Sequence, residues 1–336
     1  MDWPLLETIL ARDPGGRGVA SYRREGHLLA AGQLEAAART LAERAQHVAI
    51  VTGFCITTTG RPAVETDGPP GALYLARALA ALGRKVTLVS DMPALALLEV
   101  GCKHWHLGDV ALAEFPSAST GLVERCIDRL LDSRGGSPLT HLVAIERAGP
   151  SHTLASLSAQ SREGPAPLDL FEREVPPVHR DVCHNMRGEP IDAWTAPAHR
   201  LFEAVAARGL PIETIALADG GNEIGAGALR WETLREAIAQ GPAPRVACRI
   251  ATDHLLLAGV SNWAAYALAG SVAVLRGQGR LIDRWDAQTQ KQLIECLVRD
   301  GGAVDGVTGR REVTVDGLAL ETYLATMREI CEAMHW

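Results

Sequence analysis

Apolar positions along the 336 residues fall into two kinds of run. Short continuous runs rich in β-branched residues predict buried strands. They are His47–Gly53 (HVAIVTG), Lys85–Asp91 (KVTLVSD) and Thr140–Arg147 (THLVAIER), and Cys102–Gly108 (CKHWHLG), though not β-branched, also reads as a strand between the second and the last of these. A fifth opens Ile212–Gly225 and runs into a Gly-rich acidic turn, and a sixth lies inside Arg245–Gly259. Longer Ala- and Leu-rich runs predict helices at Leu5–Ala11, Leu28–Ala45, Gly71–Leu82, Pro93–Val100, Gly121–Ser133, Ala198–Arg208, Trp263–Leu275, Ala287–Arg299 and Leu320–His335. The Pro-rich, acidic stretch Arg162–Pro177 reads as a long loop. Strands alternating with helices predict an α/β fold: a mostly parallel, doubly wound sheet with helices on both faces, Rossmann-like and three-layered. Residues 1–336 read as one domain, with 1–46 as an N-terminal helical segment packed on it.

In such sheets ligands bind beyond the carboxyl ends of the strands. The reading places five polar clusters there: Gly53-Phe54, Asp91, Glu146-Arg147, Asp219 to Glu223, and Asp253-His254. Charge at one strand end is ordinary solvation, whereas five polar ends suggest a site.

Composition narrows the class. Hydrophobic residues make up 47% of the chain, enough for a sizeable core, and the net charge is -7 with the basic residues scattered. No basic block points to nucleic acid or a membrane surface, and no apolar stretch has bilayer-spanning length. The Met-Asp-Trp-Pro opening lacks a secretory pattern. Seven cysteines, without a CxxC pair, read as reduced thiols of a cytoplasmic protein.

The run ETDGPPGA (65–72) raises a specific question. A glycine turn leading into a helix ordinarily favours an anion, yet Glu65 and Asp67 stand there. The two prolines remove N–H donors, so a phosphate cradle would be poor. Either Asp67 caps a helix, or the two acids receive a cation, an ammonium group or a divalent metal ion. Asp91, about 20 residues downstream, occupies the position of a ribose-binding acid and keeps a nucleotide-dependent enzyme open. Glu146 is a candidate for proton transfer and Arg147 for clamping a carboxylate, the alternative being a surface ion pair. The loop HRDVCHNMRGEPID (179–192) carries Asp181, His184, Asn185, Arg187 and Glu189 without amphipathic period, as a segment covering a site would. In ADGGNEIGAG (218–227), Asp219 and Glu223 would share a face if a helix began at Gly220. Asn262 reads as an N-cap, with Asp253 as a further member of the constellation.

VTGF (51–54), ETDGPPGA (65–72), IERAG (145–149), NMRG (185–188), DGGNEIGAG (219–227), GVSNWAAYAL (259–268) and DGVTGRREVTVDGL (305–318), with DPGGRG (13–18), together resemble the D-glutamate cyclase-like family. In longer eukaryotic proteins this region is the C-terminal catalytic portion. The resemblance spans nearly the whole chain. It implies a lyase that cyclises D-glutamate to 5-oxo-D-proline with loss of water and needs no nucleotide; it transfers no residue roles. The residues themselves nominate Glu65, Asp67, Glu146, Asp219 and Glu223 as catalytic. Gly53, Gly68, Gly71, Arg147, Asn185, Arg187, Gly220, Gly221 and Asn222 are nominated for binding a small amino-acid dicarboxylate. A divalent cation, Mg²⁺ or Mn²⁺, is compatible with these acids. A non-catalytic small-molecule sensor is a third reading, and the oligomeric state, a homo-oligomer included, stays open.

Overall fold

The structure is a computed structural model and describes the chain except residues 17–21, 25–26, 58–61, 133–136, 239–241, 285 and 335–336. Six parallel strands form the central sheet: β1 (His47–Thr52), β2 (Lys85–Ser90), β3 (Ala111–Glu114), β4 (His141–Ile145), β5 (Glu213–Ala218) and β6 (His254–Leu257). Their spatial order is β6-β5-β4-β1-β2-β3. Ile50 of β1 lies level with Leu88 of β2 and Val143 of β4. The order reverses between β1 and β4, and that switch point opens a crevice above their carboxyl ends.

Both faces of the sheet are covered, so the strands read as continuous apolar runs. Alternate side chains still divide between two cores. Val48, Ile50, Val143, Ile145, Ile215 and Leu217 pack with the helices Gln33–Arg44, Pro69–Ala81, Ser261–Leu275, Ala287–Arg299 and Leu320–Met334. Ala49, Val51, Leu142, Ala144, Ala216 and Ala218 pack with Val123–Leu131, His199–Ala207 and Trp231–Ala237. The Trp3–Leu10 helix adds Leu6, Ile9 and Leu10 to the first core. Ser261–Leu275 is apolar nearly all round, because it packs against the Gln33–Arg44, Pro69–Ala81 and Leu320–Met334 helices as well as the sheet.

Three sequence expectations change. Cys102–Gly108 is not a strand: the helix runs Ala94–His104, since Leu97, Leu98, Gly101 and Cys102 form a buried stripe at helical spacing, and the strand is Ala111–Glu114. The expected loop Arg162–Pro177 contains the helix Leu168–Glu174, anchored by buried Phe171. Asp253 lies at the amino end of its strand, where its Oδ2 accepts hydrogen bonds from the Thr214 amide (2.8 Å) and hydroxyl (2.7 Å). It therefore stands at the opposite edge of the sheet from the other polar clusters.

Candidate active site

At the switch point two helix N-termini meet, and each caps the other. The first four amides of any helix lack intrahelical partners. Asp67 lies just ahead of the Pro69–Ala81 helix, yet its carboxylate caps the Ser261–Leu275 helix. Oδ2 accepts from the Ser261 amide at 2.8 Å and Oδ1 from the Asn262 amide at 2.8 Å. Asn262 returns the contact: its Oδ1 accepts from the amides of Gly68 (3.0 Å) and Gly71 (2.7 Å), and its Nδ2 donates to the Thr66 carbonyl (3.0 Å). The anion expected at these positive helix ends is Asp67 itself. That resolves the puzzle of an acid in an anion-favouring turn. Gly68, at φ 93°, has no side chain where one would press within 2.8 Å of the Glu146 Cβ, so the β4 terminus can approach the turn.

Glu146 follows β4 in a left-handed backbone conformation, φ 44°, which non-glycine residues seldom adopt. The twist turns its carboxylate toward Asp67 and Asp219. One carboxylate oxygen of each of these three buried residues lies within 4.8 Å of the other two. The Ser261 hydroxyl donates to Glu146 Oε2 at 2.5 Å. Burial, together with the charges of Asp219, Glu223, Asp67 and Glu65, pushes the Glu146 carboxyl well above the usual carboxylate range. An all-oxygen donor set of this kind suits a hard divalent cation, which would relieve that repulsion.

Glu146 and Asp219 line a cleft of about 300 Å³, with buried Asp67 behind them. Its lining includes Glu65, Glu146, Asp219, Glu223 and Asp316, with Arg187 as the one cation among the described lining residues. Glu65 is fixed by a parallel bridge to Val304. The loop after Val304 supplies Gly306, Val307 and Asp316. Buried Asp305 shapes that loop by accepting from the amides of Val307, Thr308 and Gly317 and the hydroxyl of Thr314, at 2.7–2.9 Å.

The structure thus brings Glu65, Asp67, Glu146, Asp219, Glu223, Asn185, Arg187 and Asn222 together, and it redirects several other nominations. No helix begins at Gly220; the backbone turns instead. The Glu223 carboxylate folds back to accept from the amides of Gly220 (3.1 Å) and Gly221 (2.7 Å), so those amides are not turned to a ligand. Gly68 and Gly71 give theirs to Asn262.

Arg147 is buried behind the cleft and does not line it. Its guanidinium donates to both oxygens of Asp91 (3.1 and 2.5 Å) and to the carbonyls of Gly53 (2.9 Å) and Ala196 (2.7 Å). The substrate-clamp reading of Arg147 therefore gives way to an internal ion pair. Asp91, which also accepts from the Ala196 amide at 2.6 Å, has neither oxygen turned to a ribose. Asn185 organises its own turn, its Oδ1 accepting from the amides of Arg187 and Glu189, both at 3.0 Å. Exposed Arg187 reaches over the rim. His184 contacts His179 at 3.2 Å, and exposed Asp181 pairs with Arg249 at 2.7 Å, so neither joins the acids. Burial pushes the Cys183 thiol well up, which suits a core thiol.

Sequence reading missed Ser261, Gly306 and Asp316. The run DGVTGRREVTVDGL carried the last two in view, but only contact with Glu65 reveals that it walls the cleft.

The profile described as D-glutamate cyclase-like, C-terminal, matches residues 6–162 and 173–331. D-glutamate cyclase, mitochondrial, of Homo sapiens is 33% identical over 277 residues, covering 80% of this chain and 38% of that relative. The chain therefore corresponds to well under half of the human protein's length. The matched segments contain every acid of the cleft, and on that footing the chain belongs to the D-glutamate cyclase-like family.

Proposed function

We propose that the chain is a lyase that cyclises D-glutamate to 5-oxo-D-proline with loss of water, and that Asp67, Glu146 and Asp219 hold a divalent cation, Mg²⁺ or Mn²⁺. The observation that carries this reading is the convergence of three buried carboxylates beside a cleft of about 300 Å³, a volume suited to a small substrate. Family membership and the name of the human relative support the reaction type.

The reaction joins the substrate nitrogen to its side-chain carboxyl carbon. Of the three hydrogens on the ammonium, one stays on the ring nitrogen and two leave with one carboxylate oxygen as water. A curled substrate offsets most of the entropic cost of ring closure. The bound cation would supply charge neutralisation to the carboxylate under attack. Glu65, buried in the cleft lining, is the candidate base for the ammonium. Arg187 on the rim is the candidate partner for the second carboxylate. We also place the protein in the cytoplasm, with no nucleic-acid or membrane partner. No disulfide joins its seven cysteines, and no helix of the described residues is long and apolar enough to cross a membrane.

Incubation with D- or L-glutamate, with and without Mg²⁺ or Mn²⁺, followed by chiral detection of 5-oxoproline, tests the proposal. Metal-dependent 5-oxo-D-proline supports it. Saturable D-glutamate binding without turnover in any of these conditions would make the protein a sensor instead.

A further inference from the structure

One buried oxygen in the cleft lacks the partner that its environment demands. Asn222 is fully buried and lines the cleft between Asp219 and Glu223. Its Nδ2 donates to the His184 carbonyl at 2.8 Å. A carbonyl can only accept, so that contact fixes the amide orientation and leaves Oδ1 as the opposite end. Asn222 Oδ1 has no hydrogen-bond partner. Leaving such an acceptor buried and unsatisfied is costly, and native structures seldom do so without a functional reason.

Its neighbours narrow the reason. Position 220 is glycine, and a Cβ built there would stand 2.9 Å from Asn222 Oδ1, 2.9 Å from Glu223 Oε1 and 3.1 Å from Met186 Sδ. Any side chain at 220 would therefore occlude a small space that both oxygens border. A neutral acceptor beside a carboxylate that is itself held by two backbone amides is suited to an N⁺–H donor of a ligand. Carboxylate groups of a ligand would be repelled from the same spot.

We infer that Asn222 Oδ1, with Glu223 beside it, receives the α-ammonium group of the substrate and makes the site selective for amino acids over dicarboxylates without an amine. This rests on the reading of the cleft as a glutamate site. It assigns the nitrogen to the Asn222 side and leaves the cation to Asp67, Glu146 and Asp219. The orientation has a chemical consequence. A nitrogen held by a neutral amide oxygen keeps its position as it loses a proton, because an amine N–H still donates.

The test compares D-glutamate with glutarate, which has both carboxylates and no amine. Each is titrated with saturating Mn²⁺ in a rapid-mixing fluorescence measurement read before turnover. Wild type should bind D-glutamate at least about tenfold more tightly than glutarate, as loss of a charge-assisted hydrogen bond implies. Asn222→Leu should bring the two affinities within about threefold, mainly by weakening D-glutamate. Asn222→Asp, which keeps an acceptor at that place, should retain the preference. Equal binding of the two ligands by wild type overturns the inference, and does so even if Asn222→Leu fails to fold. Equal weakening of both ligands by Asn222→Leu also overturns it, since that is the signature of a metal ligand or of a general packing role. Binding of neither ligand to wild type overturns the inference together with the glutamate reading.

Discussion

Arg147 offers a sharp separation between holding the fold and holding the substrate. Its side chain is 1% exposed and makes four hydrogen bonds, two to Asp91 and two to backbone carbonyls. Arg147→Met keeps most of the volume and removes all four. It leaves the Asp91 carboxylate with only the Ala196 amide among the described contacts. Removing one partner of a buried pair costs about 3–5 kcal/mol, chiefly because the remaining charge stays desolvated. The variant should therefore unfold about 3–5 kcal/mol more easily in urea at neutral pH, by tryptophan fluorescence and linear extrapolation. The double variant Arg147→Met/Asp91→Leu should recover most of the loss, since replacing a buried ion pair with apolar groups is often neutral or better. D-Glutamate affinity, measured where each variant is still folded, should stay within about threefold of wild type. The reasoning fails if Arg147→Met is as stable as wild type, or if the folded single variant has lost glutamate binding while stability is unchanged. The second result would return Arg147 to the role of substrate clamp.

Further outcomes follow from other contacts. Asn262→Ala strands the buried amide of Gly71 and removes a partner from that of Gly68, so it should cost about 2–4 kcal/mol in the same urea assay. Burial holds His141 and His152 down at about 4, against 6.5 when unperturbed. Both are neutral in the folded protein where the unfolded chain would be protonated. Their contribution is intact above pH 6.5 and is lost as the pH falls toward about 4, at about 1.4 kcal/mol per pH unit for each group. Unfolding measured between pH 7 and 4.5 should show a shallower decline in His141→Gln than in wild type, and parallel profiles would contradict the assignment. Mn²⁺ should raise the melting temperature of wild type, an effect reversed by EDTA and reduced in Asp219→Asn.

The layer architecture was legible because buried parallel strands are continuous apolar runs, and β1, β2 and β4 were bounded to within about two residues. β3 was not, because Ala111–Glu114 is a short, half-exposed edge strand that carries no apolar run, while the helix before it hides its stripe among His, Lys and Trp. At the site, sequence could mark Asp67, Glu146 and Asp219 as acids beside strand ends, and the structure brings them together. It could not tell which acids face the cleft. In sequence Asp67 reads as a cap for the helix that follows it, whereas it caps one 194 residues away. Arg147 and Asp91 were each plausible ligand contacts until their separation of 56 residues closed into one ion pair. Long-range pairing of this kind leaves no local pattern.

The central claim is that the three buried carboxylates form a cation-binding reaction centre. The most direct measurement is anomalous diffraction at the manganese edge from crystals of the protein grown with Mn²⁺. The account predicts a single strong peak about 2.0–2.6 Å from carboxylate oxygens of Asp67, Glu146 and Asp219, absent in Asp219→Asn. No peak among these residues at saturating Mn²⁺, or a peak held elsewhere in the cleft and unaffected by that substitution, would contradict it.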